Sequence, residues 1–180
     1  WNILANQGVY LSSDIQDGDI AMLFPGQGTQ YLGMLSDLKS RFPVVQKVFD
    51  EADRVMSPVL GEPLSRIIDP DDWDDEAQNR LKQTENTQPA VLTADVALMK
   101  LLEHFGLQPD VVAGHSLGEY GALVAAGVMP FENALQTVAR RGTAMAEATP
   151  MNGDKGLMAS VPLPPDEVER KLETIDGYVV

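Results

Sequence analysis

The chain has no cysteine and only two histidines in 180 residues. Without cysteine it can form neither a disulfide nor a thiolate nucleophile nor a Cys-based zinc site, and it fits a reducing compartment, here taken as the cytoplasm. No metal site is expected. Basic residues are also scarce, 13 Lys and Arg against 27 Asp and Glu, for a formal net charge of −14. Nucleic acid and anionic membranes both reward clustered Lys and Arg, so neither is an expected partner. Apolar stretches break well before membrane-spanning length. "WNILANQGVY" has no basic segment leading into an apolar one, so it is not a secretory signal. It also has no initiator Met, so the chain is expected to be a piece of a longer one.

What is present is globular in texture: 44% hydrophobic and 22% charged residues, enough length for one core of ordinary size and part of another. Residues 1–18 read as a linker from a preceding module. "IAMLF" (20–24), stopped by Pro25 and Gly26, reads as a buried strand. "YLGMLSDLKSRFPVVQKVFDEADRVM" keeps helical apolar spacing on both sides of Pro43, which makes two helices. "DPDDWDDEAQ" (69–78) reads as a solvated loop running into a helix start. "QPAVLTADVALMKLLEHFG" (88–106) is apolar on nearly every side, as in a centrally buried helix. "VVAG" is the next strand, "EYGALVAAGV" a small-residue helix, and Pro130 opens another through about Ala148. Strand, helix, strand, helix predicts an α/β fold with parallel pairing. From Met151, "GLMASV", "PPDEVERKLE" and "GYVV" read as β-α-β, the start of a second, smaller domain over 150–180.

The joint between "VVAG" and its helix is Gly-His-Ser-Leu-Gly, residues 114–118. A Gly-x-Ser-x-Gly between buried strand and helix is the nucleophile elbow. The turn is too tight for ordinary backbone, so Gly114 and Gly118 must leave room for strand and helix to approach. Oγ of Ser116 is lifted clear of the sheet. The N–H of Leu117 comes to lie at a helix N-terminus, where a developing oxyanion can be held. The plainer reading is a tight turn in which Ser116 only caps the helix; strand before and helix after favour the elbow. A second oxyanion donor is expected in "FPGQGTQ" (24–30), a glycine-bracketed loop after the first strand, at the sheet edge where ligands bind in open α/β folds. Its candidate is the N–H of Gln27. The loop has neither GxxxxGK[ST] nor GxGxxG, which counts against a nucleotide site.

The expected base is missing. His104 falls in the last turn of a helix, where a dipole-favourable, solvent-facing role is the commoner explanation. His115 adjoins Ser116, and neighbouring side chains on a tight turn diverge. In sheet hydrolases with an elbow the histidine follows the serine; none follows Ser116, so the base is expected beyond residue 180. Helical geometry separates two arginines. Phe131, Leu135, Val138, Gly142 and Met145 form an apolar stripe, Arg140 points to the opposite, wet side, and Arg141 flanks the stripe, where its guanidinium could enter a cleft. Two readings of Arg141 stand: a structural partner carboxylate, or a bidentate clamp on a substrate carboxylate.

Four stretches in order, "FPGQGTQY", "TENTQPAVLTADVAL", "AGHSLGEYGALVAAG" and "ARRGTAMAEA", resemble the malonyl-type acyltransferases of fatty acid and polyketide synthases over residues 20 to about 150. The resemblance implies an α/β-hydrolase-like large subdomain over 19–149, here incomplete, and the start of a ferredoxin-like small subdomain at "GLMASV". It implies that Ser116 takes an acyl group from coenzyme A and passes it to the phosphopantetheine thiol of an acyl carrier protein, with no bound cofactor. Gln27 and Leu117 would then supply the oxyanion amides, and Gln88 would line the site. Arg141 would bind the free carboxylate, and His115 would border the acyl pocket. The partners implied are an acyl-CoA, a carrier protein and other domains of the same synthase. The chain departs from the family in lacking its downstream histidine. An esterase or thioesterase releasing the acyl group to water, and a non-catalytic domain that docks carrier proteins, are the alternatives.

Overall fold

A computed structural model describes residues 18–148 and 161–173. The chain divides into two units, 1–148 and 149–180. In the first, β1 (Ala21–Phe24) is followed by helices α1 (Ser36–Arg41), α2 (Pro43–Leu60), α3 (Leu64–Ile68), α4 (Asp75–Lys82) and α5 (Thr84–His104). Then come β2 (Val111–Gly114), α6 (Gly118–Ala125) and α7 (Phe131–Glu147). The described part of the second unit holds α8 (Pro165–Leu172). The strands expected within "GLMASV" and "GYVV" fall, Val161 aside, outside the described residues, as does nearly all of the 1–18 linker.

β1 and β2 pair in parallel, with Ala21 opposite Val111 and Phe24 opposite Gly114. The long α-helical crossover between them is what parallel pairing demands. The expectation of buried strands holds on one face only. Phe24 is buried, yet Leu23 is 74% and Val111 53% exposed. A four-residue strand alternates its side chains, so the continuous apolar run is divided between a face packed on α6 and a face left open among the described residues.

Local chemistry sets the helix ends. Pro43 opens α2 at a position where its missing N–H costs nothing, and so divides α1 from α2 as its place in the sequence suggests. The acidic 69–78 segment is only partly loop. Asp74 caps α4 by accepting from the Ala77 N–H at 2.8 Å, and Asp75 and Glu76 occupy the first turn. Acids belong there, against the positive end of the helix. The central helix α5 begins at Thr84, four residues before the expected start, so Gln88 and Pro89 lie inside it. Two side chains tie its start to α4: Asn86 Nδ2 donates to Arg80 O at 2.9 Å, and Thr87 Oγ1 to Leu81 O at 2.5 Å.

The core gathers around α5, which packs against α2, α6 and α7. Phe49, Met56, Leu64, Ile68, Leu92, Met99 and Leu135 are fully buried there. Burying side chains of this size stabilises by about 1.5–3 kcal/mol each. The helix is less enclosed than its composition suggests: Leu98 and Leu102, one turn apart, are each 39% exposed. On α7 the buried stripe is Ala134, Leu135, Val138, Ala139 and Gly142. Phe131 is half-buried and Met145 is 47% exposed, so the stripe is shorter at both ends than helical spacing alone implies.

Candidate active site

β2 ends at Gly114, and the chain turns at once into α6. Ser116 sits at the turn with φ 54°, one of two non-glycine residues of positive φ among those described. A serine held in the left-handed region signals that its surroundings over-determine the turn. Those surroundings are the two flanking glycines. A Cβ on Gly114 would fall 2.1 Å from Gly118 O, and one on Gly118 would fall 2.1 Å from Phe24 O. Strand, turn and helix therefore meet backbone to backbone, with His115 N–H donating to Phe24 O at 3.1 Å. Ser116 and His115 are exposed, whereas Leu117, the N-cap of α6, is buried.

Two helices meet beside the serine. Arg141, from α7, donates from Nη2 to Ser116 Oγ at 3.2 Å and from Nη1 to Gln88 Oε1 at 2.9 Å. Gln88, from the second turn of α5, is 0% exposed, and its Nε2 donates to Met145 Sδ at 3.4 Å. What lets α7 come so close is Gly142, next to the arginine. A Cβ there would stand 2.8 Å from both Glu85 Cα and Thr84 O. Arg140 points to solvent, as the helical spacing predicts.

The structural-carboxylate reading of Arg141 meets a plain test. The ion pairs found are Arg54–Glu132, Arg80–Glu62, Lys100–Glu103 and Arg170–Asp166. Among the described residues Arg141 has no carboxylate partner. Its two hydrogen-bond acceptors are neutral, so no opposite charge is paired with the guanidinium beside Ser116.

The 24–30 loop closes the other side. Its Gly26 lies against His115, a Cβ there falling 3.0 Å from His115 Nδ1. Gln27 Nε2 reaches Thr84 Oγ1 at 3.5 Å, the outer limit of a hydrogen bond. Among the described residues, neither the Gln27 N–H nor the Leu117 N–H has an acceptor. Neither histidine hydrogen-bonds Ser116: His104 lies edge-on to Phe105, with ring centroids 5.4 Å apart, and His115 sits against the loop. No group of His, Asp or Glu among the described residues could hold a metal ion.

The structure thus brings Ser116, Arg141 and Gln88 into one hydrogen-bonded row and sets Leu117 and His115 beside it. Sequence reasoning missed Met145 as a partner of Gln88, because methionine on an apolar stripe reads as packing. It also missed Asp95, half-buried in α5, whose Oδ2 has no partner among the described residues. Burial raises its pKa to about 7. The available signal was an acid inside an apolar helix.

A family model described as "Acyl transferase domain" matches residues 21–180. The malonyl CoA-acyl carrier protein transacylase of Bacillus subtilis is 43% identical over 142 residues, 79% of this chain and 41% of that protein. Polyketide synthase GfsA of Streptomyces halstedii is 37% identical over 165 residues, 92% of this chain and 2% of that protein. Among solved structures, a malonyl-transacylase in complex with a type II polyketide synthase acyl-carrier protein superposes with TM-score 0.64 at 46% identity, covering 74% of this chain and 40% of that one. The chain spans less than half the length of the curated transacylases it matches. No helix among the described residues is long and apolar enough to cross a membrane.

Proposed function

The chain belongs to the acyl transferase domain family, and on that premise we propose that it moves a malonyl-type acyl group from coenzyme A to the phosphopantetheine thiol of an acyl carrier protein. The observation that carries the reading is Arg141: a guanidinium with neutral partners, 3.2 Å from the elbow serine. A hydrolase of neutral esters has no use for a charged clamp at that distance. An acyl unit ending in a carboxylate does.

In the proposed reaction Ser116 Oγ attacks the thioester carbonyl. The C–O bond forms, the C–S bond breaks, and coenzyme A leaves as its thiol, carrying the proton that a base removed from Oγ. The Gln27 and Leu117 amides hold the oxyanion. The carrier thiol then attacks the acyl-serine and reverses these bond changes. The substrate carboxylate takes the Nη2 bond that Arg141 otherwise spends on Oγ, so recognition frees the nucleophile. His115 borders the acyl group. Neither described histidine bonds Ser116, so the base is assigned to no described residue.

The transacylase activity named for the Bacillus relative and the carrier complex of the structural neighbour support the substrate and the partner. The match to GfsA supports a place beside other domains of a synthase. The reading includes an α/β-hydrolase-like large subdomain, a ferredoxin-like small subdomain beginning near residue 150, and a cytoplasmic location, for which a cysteine-free chain is suited.

The test uses the full-length protein with labelled malonyl-CoA and a carrier protein. Label on the carrier is expected; label released as free malonate would mean a hydrolase. Arg141→Ala should lower kcat/KM for malonyl-CoA about a hundredfold, the value of one charge-assisted hydrogen bond, and leave acetyl-CoA within about threefold. Arg140→Ala should leave both substrates unchanged. Equal loss of both substrates in Arg141→Ala would make the arginine structural and the clamp wrong.

A further inference from the structure

We infer that Gln88 is a positioning residue for acyl selection. Its buried amide holds the Arg141 guanidinium over Ser116 without pairing it with an opposite charge, and this is why the site takes an acyl unit ending in a carboxylate. The inference rests on the proposed malonyl-type transfer and concerns how the clamp is kept charged and aimed.

A glutamine at 0% exposure must find partners for both ends of its amide, because an unpaired buried polar group is costly. Here each end has one acceptable partner. Oε1 accepts from Arg141 Nη1 at 2.9 Å, and Nε2 donates to Met145 Sδ at 3.4 Å. Reversing the amide would set its donors against a guanidinium, which has only donors. The orientation is therefore fixed, and through it the arginine.

The choice of amide has a further consequence. A leucine or methionine would fill the space but leave Nη1 unanchored. A glutamate would anchor Nη1 more tightly and at the same time neutralise the charge that must attract the substrate. Of the residues with this shape, glutamine alone orients the cation and leaves its charge to the substrate. Two of the five guanidinium N–H groups are engaged by Gln88 and Ser116. The substrate carboxylate replaces the second of these partners, while Gln88 remains the fixed end of the lever. The nearby backbone gives this anchor a rigid base: Asn86 and Thr87 tie the first turns of α5 to Arg80 O and Leu81 O.

The experiment takes Gln88→Glu, Gln88→Met, Arg141→Ala and the double variant Gln88→Met/Arg141→Ala in the full-length protein. It measures kcat and KM for malonyl-CoA and acetyl-CoA, with melting temperatures to confirm folding. Gln88→Glu should lower kcat/KM for malonyl-CoA at least about tenfold, chiefly through KM, with acetyl-CoA within about threefold. Gln88→Met should lower malonyl kcat/KM about tenfold in the wild-type background and less than about threefold once Arg141 is gone, because the glutamine acts through the arginine. If the buried glutamate prevents folding, the methionine cycle decides alone. Unchanged malonyl preference in Gln88→Glu, or a methionine loss that persists undiminished without Arg141, would overturn the inference and leave the proposed function standing. Loss of both substrates alike in Arg141→Ala would instead overturn the proposed function, and this inference with it.

Discussion

Gly142→Ala tests whether the distance between two helices sets the clamp. In an ordinary exposed helix the change would stabilise by about 1 kcal/mol, because alanine is the better helix former. Here the added Cβ would meet Glu85 Cα and Thr84 O at 2.8 Å and Glu85 N at 3.0 Å. That is about 0.6 Å short of the 3.4 Å at which ordinary contact begins. The obstructing atoms are backbone, so no side chain can swing aside and α7 must back away from α5. Overpacking of this kind costs about 1–3 kcal/mol, and with no flexible neighbour the upper part of that range applies. The net expectation is a loss of about 1–2 kcal/mol, read as a fall in Tm of about 2–8 °C. Function should suffer more. Arg141 moves with its neighbour, and a half-ångström retreat stretches bonds of 2.9 and 3.2 Å toward the limit where hydrogen bonds fail. Malonyl kcat/KM should fall about tenfold while acetyl transfer changes little. The assay pairs thermal unfolding with steady-state transfer from both thioesters. A variant as stable as wild type that keeps the malonyl preference would refute the reasoning.

Ser116→Ala should abolish the acyl-enzyme, since no cysteine exists to replace Oγ; mass spectrometry after incubation with malonyl-CoA decides, and a malonyl adduct persisting on the variant would displace Ser116 as nucleophile. Asp95 predicts a pH effect on stability. Burial raises its pKa from 3.8 to about 7, so the folded state binds the proton more tightly and stability falls as pH rises from about 4 to about 7, then levels off. Asp95→Asn should remove this slope, gaining about 1–2 kcal/mol near pH 8 after allowance for partial exposure and nothing near pH 4; denaturant midpoints across the range that keep the wild-type slope would count against it.

The tight strand-to-helix turn at Ser116 was legible because its causes are local. Gly114, Ser116 and Gly118 constrain one another within five residues, and their spacing states the close approach before any packing is known. The facing of Arg140 and Arg141 was legible for a similar reason, since one helical period separates a wet side from a flank. What was not legible depends on partners distant in sequence. The start of α5 was misread because Pro89 suggests a first turn, whereas the true start is set by Asn86 and Thr87 bonding back to α4. Met145 reads as part of the apolar stripe, but α7 is pressed close where Gly142 meets Glu85 and Thr84. One turn later Met145 is 47% exposed and its sulfur accepts from Gln88 Nε2. The strands were read as buried on both faces because a continuous apolar run carries no alternation from which to tell one covered face from two.

By net charge alone, −14, the anionic acyl group proposed here would have to enter against the field of the whole chain. The site changes the terms of that contest. Exposed carboxylates farther than about 10 Å are largely screened at ordinary salt. A charge about 4 Å away in a partly desolvated site interacts by about 4 kcal/mol. Arg141 lies within that shorter range of Ser116 and is neutralised by no acid among the described residues. Had it found a carboxylate partner, as half-buried arginines in acidic proteins commonly do, the local field would vanish and the global one would prevail. A neutral Gln88 leaves the Arg141 charge uncompensated at short range, where one guanidinium outweighs distant, screened carboxylates.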